Sequence, residues 1–122
     1  MRRAKQQEIV TRALEEADGP LTAKELFSHL SGTGIGLATV YRALRRGVEE
    51  GALETVEVSA GSVRYEPKSR DHHHHFLCSS CDRAFDLDGC VEGLESLLPD
   101  RFRMSGHEVV LFGVCDTCGD AA

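Results

Sequence analysis

Residues 72–81 have the sequence HHHHFLCSSC, in which four consecutive histidines stand directly before a C-x-x-C pair. A second pair, at positions 115 and 118, follows the 33 residues 82–114. Each pair can present two sulfurs from one tight turn, and two such turns complete a tetrahedral zinc site with Zn–S bonds of about 2.3 Å. Where no secretion signal precedes it, this spacing favours a metal over disulfides. The structural Zn²⁺ ligands that we predict are Cys78, Cys81, Cys115 and Cys118.

The four histidines predict two further metal sites. If they lie on a β-strand, neighbouring side chains point to opposite faces, so that alternate histidines form pairs. Each pair needs further nitrogen or oxygen ligands to bind a divalent metal. One predicted set is Glu66, His73, His75 and Asp86. The other predicted set is His72, His74, Glu92 and His107. Cys90 lies close to Glu92 and is either an alternative sulfur ligand or a free thiol, whereas His29 is expected to face solvent.

The first half of the chain has the pattern of three helices followed by a hairpin. Apolar positions in residues 2–17 repeat with helical spacing, and Thr22 and Glu25 match the capping box that begins a second helix. A third helix runs from Leu37 to a stop signal at Gly51. Two alternating segments, 53–59 and 62–66, then flank the turn residues Ala60 and Gly61. This layout predicts a winged helix-turn-helix.

The third helix carries the side chains that a DNA groove requires. Arginine can contact phosphates or guanine edges, and tyrosine rings and threonine methyls can contact thymine methyls. The alternative is an ordinary solvated face whose arginines pair with Glu49 and Glu50. The residues that we expect to contact DNA on this helix are Thr39, Tyr41, Arg42, Arg45 and Arg46.

The second half is expected to be a small β-β-α-β unit. Strands are predicted at 72–77, 83–87 and 107–114, and a short helix at 90–98 with its apolar side buried. A unit of some 50 residues is too small to fold stably without a staple. We expect the zinc site to supply one, and dimerisation through the exposed edge of the last strand to supply another.

Charge and composition separate the two halves and exclude several classes of protein. Residues 1–70 have a net charge of +1 and residues 71–122 a net charge of −7, which indicates two modules with different partners. No apolar run approaches the roughly 18 residues of a membrane span, and the N-terminus has no apolar signal core. We therefore expect a cytoplasmic protein, with no membrane and no small organic substrate among its partners.

Taken together, these motifs resemble the ferric uptake regulator superfamily of dimeric, metal-dependent bacterial transcription repressors. The matching segments, in the same order as in the family, are LATVYRAL (37–44), RYE (64–66), HHHHFLCSSC (72–81) and HEVVLFGVCDTC (107–118). The resemblance implies an α+β fold with three regions. A winged-helix DNA-binding domain would cover 1–66, a hinge 67–71 and a metal-binding dimerisation domain 72–122.

The resemblance also assigns roles to individual residues. Tyr41 and Arg42 match the DNA-reading pair, and Arg2 lies near the position of a basic residue that reaches the minor groove. The four cysteines match the structural zinc, the Glu66 set matches the inter-domain regulatory site, and the His72 set matches a second site in the dimerisation domain. The match at Glu92 requires a gap of one residue.

Two departures from the family leave the regulatory metal open. Pro20 holds a position where many iron and peroxide sensors have histidine, and Lys68 one where many zinc sensors have cysteine. The nitrogen and oxygen ligand sets suit Zn²⁺ or Fe²⁺, with Mn²⁺ as a further alternative.

The expected function is therefore a metal-dependent repressor of metal-uptake or homeostasis genes for iron or zinc. It would bind a palindromic DNA operator as a homodimer and would not be an enzyme. One alternative is a peroxide-responsive regulator of the same superfamily. Alternatives of other classes are a zinc-dependent hydrolase, for which no H-E-x-x-H pattern exists, and a zinc-ribbon scaffold that binds only protein.

Overall fold

The computed structural model of the chain describes residues 2–59, 61–68 and 72–120. Ala60, in the predicted hairpin turn, and residues 69–71 of the predicted hinge lie outside the described residues. The described helices and strands confirm an α+β fold. We refer to residues 2–59 and 61–68 as the N-terminal unit and to residues 72–120 as the C-terminal unit. No helix in these ranges combines the length and apolar character needed to cross a bilayer.

The N-terminal unit consists of three helices and a two-stranded sheet. Its elements are α1 (Arg3–Glu16), α2 (Ala23–His29), α3 (Leu37–Glu49), β1 (Leu53–Ser59) and β2 (Ser62–Pro67). The predicted capping box is present, since the Thr22 side chain accepts from the Glu25 backbone N–H and the Glu25 carboxylate accepts from the Thr22 N–H. The antiparallel pairing of β1 with β2 forms the expected hairpin after the three helices.

The core of this unit lies where the three helices meet the hairpin. Val10 and Leu14 of α1, Leu26 of α2 and Leu44 of α3 are fully buried there, together with Leu53 of β1. Removal of such side chains from water supplies most of the stability of a unit this small. The packing fixes α3 against its neighbours and leaves its other face to solvent.

Two apolar residues of these helices are exposed. Phe27 of α2 is exposed, and so is Val48 near the end of α3. The buried face of α3 instead uses Ala43 and Gly47, because the Leu53 side chain lies directly against Gly47 where a Cβ would stand.

The C-terminal unit is a three-stranded sheet with a final short helix. Its elements are β3 (His74–Cys78), β4 (Ala84–Leu87), a 3₁₀ turn (Leu94–Leu97), β5 (Val110–Gly113) and α4 (Asp116–Asp120). The strand order is β4-β3-β5, with β3 antiparallel to β4 and parallel to β5. β3 is thus central, and β5 lies at an edge of the sheet.

The predicted helix over residues 90–98 is wrong for most of its length. Only Leu94–Leu97 are helical, in a 3₁₀ turn preceded by Gly93 in the left-handed conformation, with φ of 81°. A left-handed residue interrupts an α-helix, so the apolar positions cannot form one buried face. Val91 and Leu97 are consequently exposed. The first and last predicted strands are also shorter than expected, beginning at His74 and Val110.

Candidate metal centres and DNA-reading helix

The four cysteines of the two pairs lie together at one end of the C-terminal sheet. Their sulfurs are all within 4.8 Å of one another. Cys78 ends β3 and Cys81 follows in the turn, while Cys115 and Cys118 belong to the loop and the first turn of α4. The Cys81 and Cys115 sulfurs are 3.9 Å apart, and the backbone N–H of Cys115 donates to the Cys78 sulfur at 3.4 Å. This is the donor set of a structural zinc site.

The pKa values of these thiols differ widely, as expected of a crowded group of sulfurs that lacks a compensating cation. The hydrogen bond from the Cys115 N–H, working against burial, lowers the pKa of Cys78 to about 6. The hydrogen bond that Cys118 shares with the Cys115 thiol, together with burial, raises the pKa of Cys118 to about 12. Crowded sulfurs cannot all ionise without a compensating positive charge, and a bound Zn²⁺ deprotonates its thiols outright.

The second group joins a residue of the N-terminal unit to three residues of the C-terminal unit. Glu66 on β2 faces two histidines and Asp86 on β4. The Glu66 Oε2 atom is 3.0 Å from His73 Nε2 and 3.4 Å from His75 Nε2. Asp86 Oδ1 is 3.4 Å and 3.5 Å from the same two nitrogens. Four donors therefore converge across the boundary between the units.

The electrostatics of this group favour a divalent cation. Glu66 is only 3% exposed. Burial raises the pKa of Glu66, but the hydrogen bonds from His75 and His73 outweigh it and hold the pKa below its usual value. The carboxylate is thus ionised at neutral pH. Two nitrogen and two oxygen donors with a buried negative charge match what Zn²⁺, Fe²⁺ or Mn²⁺ would accept.

The third group lies on the opposite face of β3. Its members are His72, His74, Cys90 and His107, whose donor atoms are within 4.8 Å of one another. Among the described residues, Glu92 does not belong to this group, although the sequence and the family resemblance predict it there. Cys90, the sulfur alternative, takes that place instead. Burial, followed by the nearby rings of His72 and His107, lowers the pKa of His74.

The two histidine pairs on β3 face opposite ways although the strand itself begins only at His74. His72 and His74 meet edge to face with 4.6 Å between ring centroids, and His73 and His75 do so at 4.8 Å. The alternation expected of a strand therefore extends two residues before it. Each pair reaches a different set of partners.

The exposed face of α3 presents a cluster of positive charge. Tyr41, Arg42 and Arg45 are exposed, and Arg42 donates to the Thr39 hydroxyl at 2.9 Å. Arg46 is held differently, because it donates to the Gln7 side chain of α1 at 3.1 Å. Of the five residues expected on this helix, Arg42, Arg45 and Arg46 line one groove together with Glu49 and Glu50, and Arg2 lies at the N-cap of α1.

Arg3 was not predicted as part of this surface. It lines the same shallow groove as Arg42, Arg45 and Arg46. Arg3 reaches this groove because α1 packs against α3. The two segments are far apart in sequence, so no local pattern predicts their contact.

Sequence reasoning also missed the contacts that join the two units away from the Glu66 group. The buried side chain of Arg64 donates to the Pro20 carbonyl at 3.1 Å, to Glu25 at 2.6 Å and to the Asp82 carbonyl in the turn after Cys81. The α1–α2 turn lies against β4, where Gly19 contacts Ala84 so closely that a Cβ would stand 2.2 Å from its carbonyl oxygen.

Comparisons with known proteins agree with this arrangement. A profile of the ferric uptake regulator family matches residues 1–112. The ferric uptake regulation protein of Bordetella parapertussis is 31% identical over 103 residues, which cover 80% of this chain and 74% of that protein.

Two solved structures share the fold over nearly the whole chain. FurB of M. tuberculosis, a zinc uptake regulator, is 29% identical with a TM-score of 0.52, covering 95% of this chain and 94% of that one. A zinc-bound manganese uptake regulator is 24% identical with a TM-score of 0.76, covering 94% and 91%.

The family profile, the grouped cysteines and the helices that precede a two-stranded hairpin all lead to one assignment. Members of that family regulate transcription in response to metals and are not enzymes. The chain belongs to the ferric uptake regulator family.

Proposed function

We propose that the chain is a metal-dependent transcriptional repressor that binds a palindromic operator as a homodimer. The observation that carries this proposal is the position of Glu66 among His73, His75 and Asp86. One ligand comes from the winged hairpin and three come from the C-terminal unit. Ligation of one ion by all four would fix the position of one unit on the other.

The mechanism follows from this bridging arrangement. A dimer of helix-turn-helix proteins must present its two reading helices about one DNA turn apart, or a multiple of it. When bound, the regulatory ion would attach the two units to each other at a fixed point. Glu66 would be the ligand that links the ion to the hairpin of the N-terminal unit. Shifting the DNA-competent arrangement from 1:99 to 99:1 requires about 5.5 kcal/mol, which two or more ligations per chain can supply.

DNA reading is assigned to α3. Arg42 and Arg45 extend from its exposed face, and Tyr41 adds a ring for thymine methyl contacts. Arg2, Thr39 and Arg46 are proposed to contribute to the same surface. The acidic overall charge does not oppose this, because binding depends on a local basic face.

The homodimer is assigned to the apolar edge of the C-terminal sheet. Phe112 on β5 is 68% exposed and Leu111 is 53% exposed, beside the exposed Val114. A strand edge with unpaired backbone groups and exposed apolar side chains tends to pair with another chain. Because the family resemblance implies a dimer, we propose a second copy of this chain as the partner.

The proposed metals follow from the donor sets. Cys78, Cys81, Cys115 and Cys118 would hold a structural Zn²⁺. The Glu66 group, with two nitrogens and two oxygens, suits Zn²⁺ or Fe²⁺, with Mn²⁺ as the third option. The target genes would then be those of iron or zinc uptake and homeostasis. A peroxide-responsive regulator remains the alternative within the family if the ion is Fe²⁺.

The proposal is tested by DNA binding of the full chain to its own upstream DNA, with regulatory metal added or removed by a mild chelator. A repressor of this kind binds DNA only with metal, and in a transcription assay it lowers transcript from the same promoter. DNA binding that is equal in both conditions would contradict the proposal. Absence of specific DNA binding in both conditions would also contradict it and would favour the scaffold or hydrolase interpretation.

A further inference from the structure

We propose that Cys90 is a thiolate ligand that makes His72, His74 and His107 into a four-donor, nitrogen and sulfur site selective for Zn²⁺ over Mn²⁺. The family resemblance supplies a carboxylate at this point, so the sulfur distinguishes this chain. The proposal does not depend on the regulatory role given to the Glu66 group.

Most distances within the group are close to those of ligands around a small ion, and the Cys90–His107 distance is shorter. For tetrahedral Zn²⁺ with bonds of about 2.0–2.3 Å, neighbouring nitrogens would be about 3.3 Å apart, and sulfur would be about 3.6 Å from each nitrogen. The His72 and His107 Nε2 atoms are 3.2 Å apart. The Cys90 sulfur is 3.4 Å from His74 Nε2, 3.7 Å from His72 Nε2 and 2.9 Å from His107 Nε2. Four donors therefore surround one point.

The donors come from three separate segments of the chain. His72 directly precedes β3 and His74 begins it, Cys90 lies in the segment after β4, and His107 precedes β5. These connecting segments contain only the 3₁₀ turn as regular structure. A shared ion would attach the segments around Cys90 and His107 to the central strand. The site would therefore stabilise the C-terminal unit.

Ligation requires one change in His74. The backbone N–H of Val109 donates to His74 Nδ1 at 3.2 Å, so the ring carries its proton on Nε2 and directs it at the Cys90 sulfur. A metal bound at Nε2 needs the other tautomer, at the cost of this single hydrogen bond.

The donor types decide which ions fit. Thiolate and imidazole ligands suit Zn²⁺, whereas Mn²⁺ prefers carboxylate, carbonyl and water oxygens. The Glu66 group has two carboxylates and no sulfur, so the two faces of β3 carry sites of different chemistry. The chain is thus built to hold a zinc-type ion on one face whatever ion acts on the other.

Alkylation of Cys90 tests the proposal directly, because this thiol is exposed. Full-length protein that retains its four-cysteine zinc is treated with a mild chelator, then with Zn²⁺ in excess of both remaining sites, or with Mn²⁺. The rate at which iodoacetamide modifies Cys90 is read by peptide mass spectrometry. Zn²⁺ should slow the modification about tenfold or more, and Mn²⁺ should leave it unchanged, because a ligated thiolate is shielded.

Three variants separate the outcomes. His107→Ala should restore fast alkylation in zinc, while His73→Ala, in the Glu66 group, should keep Cys90 protected even if the proposed regulatory function is wrong. Cys90→Asp should shift the preference of the site toward Mn²⁺ in competition with Zn²⁺. Equal alkylation of Cys90 with and without zinc, or equal protection by Mn²⁺, would overturn the proposal.

Discussion

The backbone N–H of Asp86 donates a hydrogen bond to the carbonyl oxygen of Asp18 at 2.8 Å. Asp86 is a member of the Glu66 group, and Asp18 lies in the turn between α1 and α2. The strand that carries a candidate metal ligand is thereby docked on the DNA-reading unit. Any change that separates the two surfaces should disturb the metal site and the reading helix together.

Gly19→Ala should separate them. An alanine Cβ would stand 2.2 Å from the Ala84 carbonyl oxygen, and backbone atoms cannot move aside as a side chain could. Overpacking of this kind costs about 1–3 kcal/mol. We expect weaker metal affinity at the Glu66 group and weaker DNA binding, with both units still folded.

Isothermal titration of metal and fluorescence anisotropy with operator DNA measure the two effects of Gly19→Ala. Gly106→Ala is the matched control, because nothing lies within 4 Å of a Cβ there. If Gly19→Ala matches the control in both measurements, the docking of the turn on β4 does not matter to binding.

Cys118→Ser should remove one zinc per chain and destabilise the C-terminal unit by several kcal/mol. Zinc bound by four thiolates contributes its binding free energy to folding, and the unit has little apolar core without it. Zinc content, thermal unfolding and oligomeric state by light scattering measure the change. Ser80→Ala, at an exposed position of the same turn but outside the four-cysteine group, is the control and should keep that zinc. A stable, dimeric and zinc-depleted Cys118→Ser protein would be the contrary result.

Arg42→Ala should weaken specific DNA binding by about 1–3 kcal/mol without altering metal content. Its guanidinium lies on the exposed face of α3, where its hydrogen bond to Thr39 already orients it. Arg12→Ala is a fair control, because Arg12 is an exposed arginine of α1 that pairs with Glu8 of the same helix. Unchanged affinity for the specific site in Arg42→Ala would mean that α3 is not the reading helix.

The depressed pKa of His74 predicts a loss of stability in mild acid. Its native pKa is lower than that of the unfolded chain, so the unfolded state binds more protons once the pH falls below about 6.5. The contribution of the neutral ring is complete above that pH and is lost as the pH falls toward the native pKa. His74→Asn lacks this titration.

Denaturant unfolding of chelator-treated protein at about pH 7.5 and about pH 5.5 measures the effect. Wild type should lose more free energy of unfolding between the two conditions than His74→Asn does. Equal losses would show that burial of His74 imposes no protonation penalty.

Much of the fold and part of the candidate sites could be predicted from local signals in the sequence. The Thr22 and Glu25 capping box fixed the start of α2, because its hydrogen bonds lie within four residues. The alternation of His72 to His75 was equally local and placed the two pairs on opposite faces. Such features depend only on residues that are close together in the sequence, so they can be predicted without knowledge of the fold.

Features that depend on distant segments could not be read in this way. Whether Cys90 or Glu92 reaches His107 depends on the path of the segment after β4, where Gly89 and Gly93 both adopt positive φ. The burial of Arg64 against Asp82 and the close contact at Gly19 arise only when the two units pack. No periodicity or spacing within one segment records such contacts.

The central claim is that the Glu66 group, which bridges the units, controls DNA binding, and that the His72 group on the other face does not. His73→Ala removes a histidine from the Glu66 group, and His72→Ala removes one from the His72 group. The two positions are adjacent in the chain, so the variants form a matched pair. The decisive measurement is the anisotropy of labelled operator DNA titrated with each variant under saturating metal. Our account predicts that His73→Ala loses metal-dependent binding while His72→Ala largely retains it; equal loss in both variants would contradict the account.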